Sequence, residues 1–312
     1  MARVHLIVNR KGGVGKSTVV AQLSAVTAET LGADPETGAP SVAALSADPQ
    51  GSLGFWMNRV DKKPFDYMQL ELDGHSASPV PGMPRHLIPS PSLDLGPTVL
   101  LGLDQEPVPV PGSAPANFVK TLDDINYLRE LPYQHVFVDT PGWMELTNDK
   151  ALRKDSWTAV LMRALFKQAH TVIVPMESEP MSWEPTFETI EYVLKPLGAK
   201  FIVVVNNWEP RDGSHEKHPD RDAAITFIDD NGWPRANSTI RHFKVHSNAS
   251  MYGILCTQYK QNRMELNAAL DFYRLGLELG ISLLGPRVQE MEQVLANRVQ
   301  QRRPRNMKAG KS

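Results

Sequence analysis

The chain has 312 residues, 41% hydrophobic and 22% charged, the balance of a folded globular protein and not of a disordered one. Its formal net charge of −2 neither demands nor excludes an acidic partner. The single cysteine, Cys256, excludes an internal disulfide and any cysteine-rich zinc or iron–sulfur centre built by one chain.

Five short runs, at 4–8, 42–45, 135–138, 171–174 and 201–205, are nearly all apolar. Such runs are expected of parallel strands covered on both faces. Between them the sequence predicts a helix over Lys16–Leu31, with Val19, Val20, Leu23, Val26 and Thr27 on one face, and others over 118–130, 150–169 and 186–197. Strands alternating with helices imply an α/β fold with a doubly wound, mostly parallel sheet and helices on both faces. One domain over residues 1–286 suffices. No stretch reaches the ~20 apolar residues that cross a bilayer, and no secretory leader pattern precedes the first strand, so a cytoplasmic protein is expected.

Two regions depart from this pattern. Eleven of the 25 prolines fall within residues 60–118. Each fixes φ and removes a backbone donor, so this stretch is expected to be a long excursion with one short strand at 86–89. Residues 287–312 carry seven basic side chains against Glu290 and Glu292, a net +5 that leaves −7 on the rest. This basic helix or tail has a thin apolar stripe of Val288, Met291, Leu295 and Val299, expected to pack on the domain. From Arg298 onward it is also a candidate for polyanion contacts.

The first predicted strand ends at Asn9 and runs into Arg10-Lys11-Gly12-Gly13-Val14-Gly15-Lys16-Ser17-Thr18, then a helix. Glycines let several backbone N–H groups point at one centre, and the helix N-terminus adds its partial positive charge. The product is an anion site for a phosphate chain, with Lys16 as a mobile ammonium and the Ser17 hydroxyl placed for Mg²⁺. Residues 12–18 are therefore the candidate nucleotide cradle.

The loop departs from G-x-x-x-x-G-K-[ST] in having Arg10 first and a second lysine, Lys11, directly after it. In this it resembles the K-G-G-x-G-K-[ST] loop of the ParA/MinD family of deviant Walker-type ATPases. Three further segments agree in order. Leu45-Ser-Ala-Asp48-Pro-Gln-Gly51 resembles D-x-D-P-Q-G with Ser46 replacing the first aspartate, and Val136-Phe-Val-Asp139-Thr-Pro-Gly142 resembles the Walker B strand with Gly142 replacing the second proline. Asn206-Asn207 ends a strand where family members place an asparagine near the purine; N-K-x-D is absent, which favours adenine over guanine. Residues 255–279 resemble the closing helix, and the match covers about residues 3–280 without the excursion.

The resemblance implies a P-loop NTPase that binds ATP and Mg²⁺. It assigns Lys11 to the partner's phosphates across an ATP-bound homodimer, Asp48 to the attacking water or to waters on Mg²⁺, and Asp139, with Ser17, to Mg²⁺. It further implies non-specific DNA binding, a ParB-like or other small DNA-binding adaptor that stimulates weak basal hydrolysis, and a role in plasmid or DNA partition. The alternative is a MinD-like or conjugation-associated positioning protein acting on a protein or membrane cargo without DNA; membrane contact is not expected. Arg241, Lys244, Lys260 and Arg263 are the candidate DNA contacts on the domain surface, competing with the tail.

Overall fold

A strand buried on both faces must pair every backbone donor and acceptor with a neighbouring strand, so the apolar runs can be satisfied only in a common sheet. The computed structural model describes residues 1–48, 50–70, 99–101, 107–109, 122, 124–142, 144, 157–210, 218–259 and 262–307. In chain order it opens with β1 (Arg3–Ile7), α1 (Lys16–Leu31), β2 (Val42–Ser46), α2 (Ser52–Met57) and β3 (Asp66–Gln69). A separate antiparallel ribbon follows, β4 (Val99–Leu101) with β5 (Pro107–Pro109). Next come β6 (His135–Asp139), α3 (Trp157–Gln168), β7 (Thr171–Glu177), α4 (Trp183–Thr189) and β8 (Phe201–Asn206). The chain closes with α5 (Pro219–Asp230), α6 (Lys244–Tyr252), α7 (Arg263–Glu278) and α8 (Gly285–Met307).

Six strands form one sheet in the order β3-β2-β6-β1-β7-β8, every pairing parallel. The chain crosses the sheet in one direction from β1 to β2 and β3, and in the other from β6 to β7 and β8. Such reversals open a crevice at the carboxyl ends of the central strands. Register fixes what meets there: Asp139 stands opposite both Ile7 and Ser46. The segments after β1, β2 and β6 therefore leave the sheet at one level.

Alternation along β1 and β6 sends Val4, Leu6, Val136 and Val138 to one core layer and Ile7 and Phe137 to the other. The first layer is closed by α3, the second by α1, α2 and α7. Val288 and Met291 of α8 are buried in the second layer and Leu295 packs against it; the Val299 side chain lies outside the described residues.

The expected strands and the helix over Lys16–Leu31 are present; other boundaries differ. The excursion predicted over 60–118 begins later, because Tyr67 and Met68 are buried and pair β3 onto β2. Four residues with polar ends gave no apolar run to read. The strand expected at 86–89 lies outside the described residues. Within 118–130 the described residues are helical at 122 and 124–126 and form a 3-10 turn at Leu128–Glu130. The helix expected over 186–197 starts earlier, at Trp183, and widens into a π-type turn at Ile190–Leu194. The closing helix starts at Arg263 and not at 255, since the Asn262 side chain caps it by accepting from Glu265 N at 2.9 Å.

At the opposite, amino-terminal end of the sheet lies a stack of histidines. The His5 and His135 rings are 5.2 Å apart and inclined by 9°, with His5 Nε2 and His135 Nδ1 sharing a hydrogen bond of 2.9 Å. Burial drives the pKa of His5 down to about 3 and that of His135 down to about 4. Both are neutral in the fold, whereas the unfolded chain protonates them below about pH 6.5. Their stabilisation is thus complete above pH 6.5 and is lost as pH falls toward 4. Each adds up to about 1.4 kcal/mol per pH unit to that slope. Replacing His5 by Gln should flatten it by about one histidine's share; denaturant unfolding at pH 6.5, 5.5 and 4.5 is the measurement, and an unchanged slope would show that His5 does not stay neutral.

Candidate functional site

Gly13 and Gly15 have φ of 81° and 83°, a left-handed backbone that residues with a Cβ rarely adopt. Gly15 precedes α1 and offers no side-chain cap, so the first N–H groups of the helix remain available to an anion. The loop is held from both sides. Asn9 Nδ2 donates to Pro175 O at 2.8 Å and to Thr186 Oγ1 at 2.9 Å, while its Oδ1 accepts from Lys11 N at 2.9 Å. Across the loop, Asn206 Nδ2 donates to Val14 O at 2.7 Å. Arg10 occupies the place of the usual first glycine as an anchor: it donates to Met144 O at 3.1 Å and pairs with Glu188.

Beneath the loop sits a charged centre. Asp139 is fully buried; its Oδ2 accepts from Ser17 Oγ at 2.7 Å, and its Oδ1 has no hydrogen-bond partner among the described residues. Burial pushes its carboxyl up to about 7, against the opposing pull of the Ser17 hydrogen bond and the Lys16 charge. Lys16 is buried too, its Nζ donating to Lys11 O at 3.3 Å, and burial pulls its ammonium below the ordinary lysine value. A buried carboxylate oxygen without a partner, next to a hydroxyl, is a donor set suited to a hard divalent cation such as Mg²⁺.

A cleft of about 980 Å³ opens over this centre, lined by Gly12, Gly13, Gly15, Lys16, Ser17, Thr18, Asp48 and Gly142 among others. Asp48 also shapes its own turn, its Oδ1 accepting from Gln50 N at 3.0 Å. Gly142 passes close beside the loop: an added Cβ would lie 3.2 Å from Lys16 Nζ and 3.6 Å from Gly12 Cα. Val14 contributes backbone alone, since its side chain is in the core.

Three candidates are placed differently. Lys11 turns away from the cleft, its Nζ 2.7 Å from Glu177 Oε2. Asn206 is committed to the loop backbone. Asn207, with φ 58°, bonds Glu177 Oε1 at 2.9 Å and His242 Nδ1 at 2.5 Å. Arg241 needs correction: it is not a surface cation but a buried strut, 5% exposed, with its guanidinium on Asp271 at 2.6 Å and on Asn267 O at 3.0 Å. Lys244 and Arg263 are exposed; Lys260 and the side chains from Arg298 onward lie outside the described residues. Gln50, within the D-x-D-P-Q-G segment, also lines the cleft; sequence reasoning missed the rest of the outer wall, Ser52, Phe55 and Trp56 of α2 with Ser250 of α6. No motif marks them, because α6 reaches the cleft only by packing on α2.

Removing the charge at position 139 separates stability from function. An Asp139→Asn chain still accepts from Ser17, yet it no longer buries a carboxylate with an empty oxygen. At pH 8 without nucleotide its thermal midpoint should rise by roughly 2–4 °C. Calorimetric titration should meanwhile show that Mg²⁺ no longer strengthens nucleotide binding. A lower midpoint would mean that the carboxylate is already compensated in the fold.

No protein-family model matches the chain. It is 23% identical, over 280 residues, to Maintenance of carboxysome distribution protein A of Gloeobacter kilaueensis, a match covering 89% of this chain and 94% of that protein. Among solved structures, an ATP complex of a McdA variant from Cyanothece is similar with a TM-score of 0.55 and 16% identity, covering 90% of this chain and 97% of that one. The cell division ATPase MinD of Pyrococcus furiosus is similar with a TM-score of 0.52 and 18% identity, covering 90% and 99%. With its lysine-preceded glycine loop and its two strand-end aspartates, the chain is similar to the ParA/MinD family of deviant Walker A ATPases in sequence motifs and in fold.

Proposed function

We propose that the chain is a nucleotide-gated positioning ATPase. The observation that carries this reading is the buried Oδ1 of Asp139, unpartnered among the described residues and set beside Ser17 and Lys16 under a loop whose glycines expose their N–H groups. In this reading the loop N–H groups of residues 12–18 and the Lys16 ammonium bind the β- and γ-phosphates of ATP. Ser17 and Asp139 hold Mg²⁺, which when bound neutralises charge on the phosphate oxygens. Asp48 stands at the cleft where a carboxylate can orient the attacking water. Lys11 completes the partner's site in an ATP-closed homodimer.

The finer reading is that this dimer binds DNA non-specifically and that a small DNA-binding adaptor stimulates hydrolysis to release it, as DNA partition requires. With Arg241 internal, Lys260, the exposed Lys244 and Arg263, and the basic end of α8 remain candidates to neutralise phosphates. A second reading is positioning of a protein cargo without DNA; the similarity to a protein named for carboxysome distribution supports a positioning role common to both readings. Attachment to a membrane by α8 finds no support, because Val288 and Met291 are already buried against the domain.

Two measurements test this. Asp48→Ala should still bind ATP but hydrolyse it more slowly, by about 10²–10⁴-fold if the carboxylate positions the water. Parental turnover in the variant would reduce Asp48 to the turn it caps. Retention on DNA should require ATP, fall steeply with salt, and weaken with a flatter salt slope when residues 301–312 are deleted. Retention that ignores ATP would favour the protein-cargo reading; a truncated chain with parental slope would shift the contact to the domain surface.

A further inference from the structure

Lys11 is the residue the proposed dimer needs at the partner's phosphates, yet in this chain its ammonium is already held. Glu177, the last residue of β7, is only 13% exposed in its side chain and Lys11 25%, so water screens their contact incompletely. The two carboxylate oxygens are divided between two tasks. Oε2 takes Lys11 Nζ at 2.7 Å, and Oε1 takes Asn207 Nδ2 at 2.9 Å. Asn207 is held in turn by His242 and sits at φ 58°, the only positive φ of a non-glycine among the described residues. Glu177 also stands opposite Asn206 in the β7–β8 register, and Asn206 grips the loop at Val14. The carboxylate is therefore fixed by the sheet end and by a bonded neighbour, and it does not follow Lys11 when that side chain moves.

One ammonium cannot satisfy Glu177 in its own subunit and phosphates in another. We propose that Glu177 is a positioning residue that latches Lys11 in the nucleotide-free chain, and that dimer closure on ATP requires both latches of the pair to open. The inference rests on the reading that Lys11 acts across an ATP dimer. It adds a threshold: each monomer is held back by one ion pair, two for the dimer, and ATP supplies the competing anion that draws each lysine away. Since two latches open per dimer, even a threefold penalty at each would weaken the dimer by about tenfold, roughly 1.4 kcal/mol.

The test has two arms. In the first, a zero-length carbodiimide reagent couples amines to carboxylates in contact, and the linked peptides are read by mass spectrometry. The nucleotide-free chain should give a Lys11–Glu177 link, and the link should fall several-fold when Mg²⁺ and a slowly hydrolysed ATP analogue are added. In the second, sedimentation equilibrium with the same analogue compares the parent with Glu177→Gln, which keeps an oxygen for Asn207 but offers Lys11 no charge. The variant should dimerise at about tenfold lower concentration, and Lys11→Ala should erase that gain in the double variant. Absence of the link in the nucleotide-free chain, a link indifferent to the analogue in a parent that dimerises, or a Glu177→Gln dimer no tighter than the parent's would overturn the latch alone. A parent that stays monomeric with Mg²⁺ and the analogue would overturn the dimer reading and the latch with it.

Discussion

The site is organised around a carboxylate that the fold has removed from water without fully compensating it. Asp139 ends the central strand β6, where parallel neighbours on both sides leave it no solvent, and among the described residues only one of its oxygens has a partner. An isolated buried charge is costly, and it is tolerated when a cation or a strong donor completes it. Ser17 and Lys16 do so in part, since the Ser17 hydroxyl donates to Asp139 and the Lys16 charge acts on it. What remains is an incomplete shell beneath a cleft that Lys16 and Ser17 line, a form of stored strain commonly kept at functional sites.

The loop around that centre is pre-organised by asparagines. Asn9 and Asn206 fix the start and the middle of the glycine turn from opposite sides through buried amide groups. Gly15 is constrained twice, by its φ and by the Asn206 amide that a Cβ would meet at 2.6 Å. Fixing the loop in advance lowers the ordering cost that phosphate binding would otherwise carry. The same rigid frame holds Glu177 and Asn207, which is why the position of Lys11 is definite here.

Charge elsewhere is used structurally as often as it is displayed. Arg241 joins α7 to the segment after β8 through Asp271, a buried pair whose carboxylate is pushed upward by burial and held down by the guanidinium. Arg274 and Glu292 tie α7 to α8 at the surface with a contact of 2.6 Å. Such exposed pairs contribute little energy, about 1 kcal/mol or less. Burial of Val288 and Met291 is what keeps α8 on the domain.

The chemistry of the loop and the class of the fold are both written in the order of the residues. Apolar runs of strand length between amphipathic segments allow few architectures, and Gly15-Lys16-Ser17 after a strand specifies its geometry locally, because backbone φ and helix polarity are near-neighbour properties. Asp48 and Asp139 were legible for the same reason, each a carboxylate closing an apolar run. Short elements such as β3, α2 and α6 were not, since their stability comes from packing and not from a periodic pattern of their own. Which polar groups are spent on each other emerges only once the chain is folded. Arg241 reads from sequence as a surface cation, but Asp271, thirty residues away, pairs with it in the core; nothing near Lys11 in sequence points to Glu177, which the β1–β7 pairing brings to it. Whether a charge is free depends on what lies within about 3 Å, and for these residues that neighbour comes from a distant part of the chain.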